Sequence, residues 1–307
     1  MFAFCTASVA ATFSIPNSQL PKPLVLIAYG DTRFTDARET AATNPMARRA
    51  LIAKIADEKP TAVFINGDLP WHGVAADYDV YRAETRQWRE QRLRIYPALG
   101  NHEFAACWEP ECLKRWWREF PQLRGRRWYS VALGSKVLAL ALDSDTSLLD
   151  GSEQRLWLQG ELAARSPTVR LVLIVMHHPP VADVQTDRMA NHNPRPNEQA
   201  LADYLGTIAP QSHARVVVIG GHIHNYERFL RDGVLYLVSG GGGAAPYQVE
   251  RTPADLYQDT GFPNYHYLRF ELGADTLTGE MIRYAQGAAG DLGQWQIKDR
   301  FELTLPP

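Results

Sequence analysis

The chain has few cysteines, no large excess of charge of one sign and no long apolar run. Three cysteines among 307 residues are too few for a disulfide scaffold. A formal net charge of −2 provides no global basic field for nucleic acid and no acidic field that would repel anions. No stretch reaches the roughly 18 consecutive apolar residues of a membrane-spanning helix. We therefore expect neither a nucleic-acid partner nor a membrane partner, and any attraction for an anionic substrate must be local.

The beginning of the chain differs in character from the rest. Residues 1–13 are apolar and rich in small side chains, and residues 8–10 (Ser-Val-Ala) could serve as a cleavage site, although no Lys or Arg precedes them. We interpret residues 1–22 as an N-terminal tail, either a truncated signal segment or a frayed terminus, and residues 23–307 as one domain. This interpretation favours an exported protein, periplasmic or secreted, over a cytoplasmic one.

Cys107 and Cys112 stand close together in the sequence CWEPEC. In an exported protein they could form a local disulfide, whereas in the cytosol they would be two ordinary thiols. No second pair of Cys or His accompanies them at zinc-site spacing, which argues against a metal site built on this pair.

Strand-like and helix-like segments alternate along most of the chain. An Asn-Pro pair at 44–45 is typical of a helix start, and an Asp-Gly turn at 232–233 predicts a hairpin between 229–230 and 234–238. The alternation predicts an α/β sandwich. The predicted strands are 24–29, 62–66, 95–99, 137–142, 169–176 and 216–219, and the predicted later helices are 77–92, 152–164 and 197–208.

Polar side chains follow five of these apolar strands, at the point where each strand ends: Asp31, Asp68, Asn101, His177 and His222. In α/β proteins, that carboxyl edge of the sheet is where binding sites form. Taken singly, the two aspartates could cap helices and the asparagine could belong to a turn. The presence of five residues that can bind metals, one at each of five strand ends, favours a common site instead.

These oxygen and nitrogen donors suit divalent ions such as Zn, Mn or Fe. A pair of ions about 3.5–4 Å apart can clamp the attacking and leaving oxygens of an in-line displacement and generate hydroxide near neutral pH. His102, next to Asn101, is a candidate proton donor for the leaving alkoxide. His192 could line the substrate entrance, although we favour a solvated loop histidine. We interpret the glycine run at 240–243 as close packing near the metals.

Five short motifs occur in order: GDTR at 30–33, GDLP at 67–70, GNHE at 100–103, MHHPP at 176–180 and GGHIHNYER at 220–228. They resemble the ordered motifs of the calcineurin-like metallophosphoesterases. The Tyr-Glu-Arg ending at 226–228, together with Gln154 and Trp157, most resembles the purple acid phosphatase branch of that superfamily.

The resemblance implies a four-layer α/β/β/α sandwich of the metallo-dependent phosphatase type, with two divalent or trivalent ions, Fe, Zn or Mn. Asp68 would bridge the two ions, and His102 would be the proton donor or a phosphate contact. The implied metal ligands are Asp31 and His224 for the first ion, Asn101, His177 and His222 for the second, and Asp68 for both.

The sequence departs from the family pattern at two positions. Arg33 stands where the common motif has a His two residues after the first Asp, and Trp71 stands where purple acid phosphatases have a Tyr ligand three residues after the bridging Asp. His72 could fill the resulting vacancy, or water could complete the first site. Arg33 could instead hold phosphate through two parallel hydrogen bonds, and His178 is a second candidate substrate contact.

These observations predict hydrolysis of a small phosphorylated substrate by a metal-bound hydroxide, with phosphomonoesters favoured over phosphodiesters. One alternative is a catalytically weak relative that binds a phosphorylated ligand or a protein partner. Another is a structural or carbohydrate-binding exported protein in which the metals are incidental.

Overall fold

Two β-sheets pack against each other in the computed structural model, which describes residues 11–183, 192–287 and 293–307. The strands in chain order are β1 (Phe13–Ile15), β2 (Leu24–Tyr29), β3 (Ala62–Asn66), β4 (Ile95–Ala98), β5 (Tyr129–Leu133), β6 (Val137–Ala141), β7 (Leu171–Val175), β8 (Arg215–Gly220), β9 (Tyr226–Arg231), β10 (Val234–Ser239), β11 (Tyr265–Leu272), β12 (Thr276–Ala285) and β13 (Gln294–Thr304). One sheet has seven strands in the order β1-β5-β6-β7-β8-β10-β9, and the other has six in the order β13-β12-β11-β2-β3-β4.

The helices are α1 (Pro45–Asp57), α2 (Ala75–Glu84), α3 (Arg86–Glu90), α4 (Glu109–Glu119), α5 (Glu153–Ala164) and α6 (Pro196–Ile208). Asn44 caps α1 as predicted, because its side chain accepts hydrogen bonds from the backbone N–H groups of Met46 and Ala47. Ser152 caps α5 in the same way by accepting from Arg155. No helix within the described ranges has the length and apolarity that crossing a membrane requires.

Strand β7 shows how the layers form. Leu171, Leu173 and Val175 belong to the core that the two sheets share. Val172 and Ile174 point the other way, into a second core that includes side chains of α5 and α6. Because both faces of such a parallel strand are covered, its sequence is a continuous apolar run. On the opposite side, α1 packs against β11 and β12. The order is helix, sheet, sheet, helix, which confirms the predicted four-layer sandwich.

The single helix predicted over residues 77–92 is wrong, because the chain forms two helices there, α2 and α3, that meet at Thr85. The hydroxyl of Thr85 donates to the carbonyl oxygen of Tyr81 at 2.6 Å. Thr85 itself leaves helical geometry, with φ −93° and ψ 16°. A hydroxyl that bonds to the backbone in this way competes with the helical hydrogen-bond ladder.

Strand β1 and helix α4 are among the elements that lie where none was predicted. Part of the predicted N-terminal tail forms β1, which pairs with β5 as an edge strand, while residues 1–10, with the candidate cleavage site, lie outside the described part of the chain. Helix α4 follows Trp108, and Cys112 lies in its first turns. Cys107 and Cys112 form a disulfide, with their Cα atoms 5.7 Å apart.

Candidate metal centre

Loops at the carboxyl ends of strands from both sheets carry the candidate ligands. Asp31, Asp68 and Asn101 follow β2, β3 and β4 of the six-stranded sheet. His177 and His222 follow β7 and β8 of the seven-stranded sheet. Since the strands that carry them run parallel within each sheet, the loops meet at one edge of the sandwich.

The backbone at this edge is unusual. Asp31, Asp68 and His222 adopt left-handed conformations, with φ of 54°, 51° and 70°. Such conformations cost a non-glycine residue roughly 1–3 kcal/mol, and they cluster at functional sites. Gly221 lies against the same cluster, since a Cβ there would sit 2.3 Å from Asp31 Oδ2. The fold therefore turns these side chains inward at a cost in backbone energy.

Four side chains surround one point at the junction of the sheets, and we call them the His177 group: Asp68, Asn101, His177 and His222. The Nε2 atom of His177 lies 3.1 Å from Asp68 Oδ1, 3.0 Å from Asn101 Oδ1 and 3.2 Å from His222 Nδ1. Donor atoms bound to a metal at about 2.1 Å, at angles of about 90–110°, lie about 3.0–3.4 Å apart. The spacing of the His177 group matches that of ligands around one ion.

The hydrogen bonds of His177 favour a metal ligand. Its Nδ1 lies 3.1 Å from the carbonyl oxygen of Asn66, which can only accept. A proton on Nδ1 leaves a lone pair on Nε2, directed at the other donors of the group. This arrangement, in which a backbone carbonyl fixes the tautomer, is typical of metal-binding histidines.

A second set of donors lies beside the first, and we call it the Asp31 group: Asp31, Asp68 and His224. His224 Nδ1 lies 2.6 Å from the carbonyl oxygen of Ala245, so its Nε2 also carries a lone pair. That Nε2 lies 3.5 Å from Asp31 Oδ1, and it is buried with no hydrogen-bond partner among the described residues. Because an unpaired buried acceptor costs about 1–3 kcal/mol, the atom fits a cation ligand better than a core histidine.

Burial and nearby charge set the ionisation of these groups. Burial raises the pKa of Asp31 to about 7. Burial also acts to raise the pKa of Asp68, but neighbouring imidazoles and the Arg33 guanidinium bring it well below its usual range. Burial lowers the pKa values of His222 and His224 well below the usual value for histidine. Their imidazoles are therefore neutral, the form that binds metals.

His102, the proton donor predicted from the sequence, lies against Asp68. Its backbone N–H donates to Asp68 Oδ1 at 2.9 Å, and its ring Nε2 lies 3.8 Å from Asp68 Oδ2. Its Nδ1 contacts the carbonyl oxygen of Trp71 at 2.6 Å, and the two rings stack with centroids 4.6 Å apart. Burial lowers the pKa of His102 to about 4.

Glu103 holds the same loop in place, a role that sequence reasoning did not assign. It is buried, and its carboxylate accepts hydrogen bonds from the backbone N–H groups of Gly100, Asp68 and Leu69. Through these hydrogen bonds Glu103, the last residue of the GNHE motif, connects the loop after β4 to the loop after β3.

Arg33 and Trp71, the two departures from the family pattern, contact each other. The Arg33 guanidinium lies over the Trp71 ring at 4.6 Å, and its Nη2 is 3.5 Å from Asp68 Oδ2. His72 is not brought into either donor group. Its ring contacts the edge of Trp71, its backbone N–H donates to Asp77, and among the described residues it forms no ion pair with Asp31 or Asp68.

Two histidines and a tyrosine lie beside these donors. His178 stacks near His222 with ring centroids 4.3 Å apart, and its Nδ1 lies 2.8 Å from Ser144 Oγ. His192, interpreted from the sequence as a solvated loop residue, lies over His222 at 4.6 Å, so that interpretation is wrong. Tyr247 stacks on His224 at 4.1 Å, and sequence reasoning missed it. The only signal was an aromatic residue shortly after the glycine run.

Comparisons with known proteins agree on the family. The model of the calcineurin-like phosphoesterase family matches residues 42–226. Two uncharacterized proteins of Mycobacterium tuberculosis, Rv2577 and MT2654, are 30% identical over 245 residues, which cover 67% of this chain but 43% of each relative. The chain thus spans less than half the length of these relatives.

Solved structures share the fold at low sequence identity. The purple acid phosphatase PPD1 of yellow lupin gives a TM-score of 0.72 at 17% identity, over 97% of this chain and 55% of that one. GAP50, the anchor in the inner membrane complex of Plasmodium, gives 0.67 at 12%, over 92% and 89%. A dimetal phosphatase of Danio rerio gives 0.59 at 16%, over 84% and 96%. With the family match over residues 42–226, the chain belongs to the calcineurin-like phosphoesterase family, as its ordered motifs predicted.

Proposed function

We propose that this chain hydrolyses phosphate esters with the help of bound metal ions, and that it prefers phosphomonoesters to phosphodiesters. The observation that carries the proposal is the His177 group, whose oxygen and nitrogen atoms lie 3.0–3.2 Å from His177 Nε2, the spacing of ligands around one ion. Bound ions would supply positive charge for the phosphoryl oxygens and a hydroxide at neutral pH. The likeness to a purple acid phosphatase supports the monoester preference.

The donor set indicates which residues would hold the ions. Asp68, Asn101, His177 and His222 would hold one ion, and Asp31 and His224, with the second oxygen of Asp68, form the neighbouring position. Imidazole, carboxylate and amide donors suit Fe, Zn or Mn.

In this proposal His102 acts as a proton donor and Arg33 as a phosphate contact. The contact of His102 Nδ1 with Trp71 O leaves Nε2 on the side of Asp68, so the ring would donate to the leaving oxygen from its doubly protonated form. The Asp68 carboxylate favours that form, because it acts to raise the pKa of His102 against the effect of burial. Arg33 offers a guanidinium whose shape matches a phosphoryl edge. His178, beside His222, is the second proposed phosphate contact.

Turnover of p-nitrophenyl phosphate and of its bis-ester, with Mn²⁺ or Zn²⁺ added after chelation, tests the function. We expect faster turnover of the monoester and its loss, together with loss of bound metal, in His177→Ala. The exposed His213 provides the matched control, because His213→Ala removes an imidazole far from the donors. Turnover of neither ester by metal-loaded protein, or full turnover by His177→Ala, would contradict the proposal.

The proposed alternative function is binding without efficient turnover. The observation that favours it is the Arg33–Trp71 contact beside the Asp31 group, where the family pattern has metal ligands. The fold neighbour GAP50 is described as the anchor in the inner membrane complex of Plasmodium, which supports a binding role as the alternative. Tight binding of inorganic phosphate to metal-loaded protein that turns over neither ester would select this alternative.

We also propose that the chain works in an oxidising compartment, after export. The Cys107–Cys112 disulfide supports this, because such bonds persist mainly in exported proteins. Alkylation of the native protein, isolated under thiol-blocking conditions, should label neither cysteine before reduction and both after it. Two reactive thiols in protein taken directly from cells would contradict the proposal.

A further inference from the structure

Arg33 lies inside the molecule, next to the Asp31 group. Its side chain is nearly buried, and its backbone adopts a left-handed conformation with φ 45°. One side of the guanidinium faces the Trp71 ring, and Nη2 faces Asp68 Oδ2 at 3.5 Å. Its Nε is buried with no hydrogen-bond partner in the described part of the chain. A permanently charged group is therefore held among the site's carboxylates.

The two oxygens of Asp68 face different surroundings. Oδ1 lies 3.1 Å from His177 Nε2 and accepts from the His102 backbone N–H at 2.9 Å, so it belongs to the His177 group. Oδ2 lies 3.5 Å from Arg33 Nη2. A carboxylate that bridged two ions would offer Oδ2 to the second ion. The guanidinium of Arg33 already lies beside Oδ2, on the side where a second ion would bind.

Charge balance shows the consequence. With neutral imidazoles, the ionised forms of Asp31 and Asp68 together with Arg33 carry one net negative charge. One divalent ion brings the net charge of the site to plus one, whereas two divalent ions bring it to plus three in a buried space. At about 5 Å and an effective dielectric constant of about 20, repulsion by Arg33 would weaken binding of an adjacent divalent ion roughly 10,000- to 100,000-fold.

We propose that Arg33 takes the electrostatic place of a metal ion in the Asp31 group, so that the chain binds a single metal ion tightly, in the His177 group. The inference rests on the proposed function for the ion in the His177 group. It goes further by assigning the positive charge beside the Asp31 group to the side chain of Arg33. The site is then asymmetric, with one ion and one guanidinium facing the same phosphoryl group.

Metal stoichiometry tests this without reference to activity. After chelation and dialysis against micromolar Mn²⁺, elemental analysis should find about one ion per chain, and electron paramagnetic resonance should show the resolved hyperfine signal of isolated Mn²⁺. Arg33→Met removes the charge but keeps an aliphatic side chain on Trp71, and it should bind two ions with the broadened signal of a coupled pair. Arg33→Lys keeps the charge and should stay near one ion.

Arg38 supplies the matched control. It is exposed and pairs with Asp36, so Arg38→Met removes one positive charge close in sequence but outside the site, and its stoichiometry should equal that of wild type. Circular dichroism of each variant verifies folding. If Arg33→Met fails to fold, the number of ions bound per wild-type chain decides whether the proposal holds.

The outcomes separate this inference from the function on which it rests. Two coupled ions in wild type would overturn the role of Arg33 while leaving metal-dependent hydrolysis intact. A folded Arg33→Met that still binds one ion would also overturn it. No tightly bound ion in wild type would remove the proposed function as well.

Discussion

At the scale of single residues, His102 provides the clearest test of chemistry. Its ring is fixed on both sides, by the Trp71 carbonyl and by stacking on the Trp71 ring, and none of the donor groups includes it. A positioned acid contributes about 100- to 10,000-fold to rate. We expect His102→Ala to lower kcat for p-nitrophenyl phosphate by that factor while metal content stays unchanged. An unchanged kcat would remove His102 from the reaction.

A second residue, Glu227, predicts how stability depends on pH. Burial raises its pKa to about 8, although the Asp183 backbone N–H donates to it, and its Oε1 has no partner among the described residues. The folded state therefore holds a proton that the unfolded state loses from about pH 4.3 upward. By linkage, this group destabilises the fold progressively as pH rises to about 8, by an amount on the order of 5 kcal/mol.

Glu227→Gln should flatten that dependence, since an amide keeps the shape and does not ionise. The measurement is the free energy of unfolding in urea at pH 5 and at pH 8, for wild type and variant. Glu302→Gln, at an exposed position, is the control and should leave the wild-type slope in place. Equal slopes for wild type and Glu227→Gln would refute this role of Glu227.

At the scale of elements, Asn66 joins the two sheets directly beneath the donors. It ends β3, and its side-chain amide donates to the carbonyl oxygens of Gly220 at 2.8 Å and Ser239 at 2.9 Å, at the ends of β8 and β10. Asn66→Ala leaves buried carbonyls unpaired, so we expect a loss of about 2–3 kcal/mol in the free energy of unfolding. Metal affinity should fall as well, because the lost side-chain bonds fix the Asn66 backbone, whose carbonyl oxygen orients His177.

Asn44→Ala gives the comparison for that variant. It removes the cap of α1, which costs about 1 kcal/mol. Because α1 supplies none of the donors and contacts the loop after β2 through Arg48, metal affinity should fall much less than in Asn66→Ala. If Asn66→Ala and Asn44→Ala affect metal affinity equally, Asn66 has no special role at the site.

The same elements show what the sequence could predict. The ends of the strands could be predicted because each apolar run is followed by polar residues. In the fold, the candidate ligands that follow the strands meet at one edge of the sandwich. The interruption between α2 and α3 at Thr85 could not be predicted, since it depends on a hydrogen bond from the Thr85 hydroxyl to the Tyr81 carbonyl oxygen. Helix α4 did carry helical spacing in Cys112, Leu113 and Trp116. The place of Tyr247 on His224 could not be predicted, because it depends on how distant loops pack together.

At the scale of the whole molecule, the donors come from both sheets. Asp68 and Asn101 extend from the six-stranded sheet, and His177 and His222 extend from the seven-stranded sheet. An ion held by all four would therefore connect the two halves of the sandwich at its open edge. Because the ion would bind the folded chain and not the unfolded one, binding energy adds to the stability of the entire fold.

Removal of metal should consequently lower the melting temperature. An ion present at about 100 times its dissociation constant adds about 2.7 kcal/mol, which for a chain of this size corresponds to about 5–10 °C. We expect excess chelator to lower the Tm of wild type by that amount and added Mn²⁺ to restore it. In His177→Ala, neither chelator nor Mn²⁺ should move the Tm, while His213→Ala should respond like wild type. A chelator effect that persisted in His177→Ala would mean that the stabilising ion binds elsewhere, and the site would not join the sheets through metal.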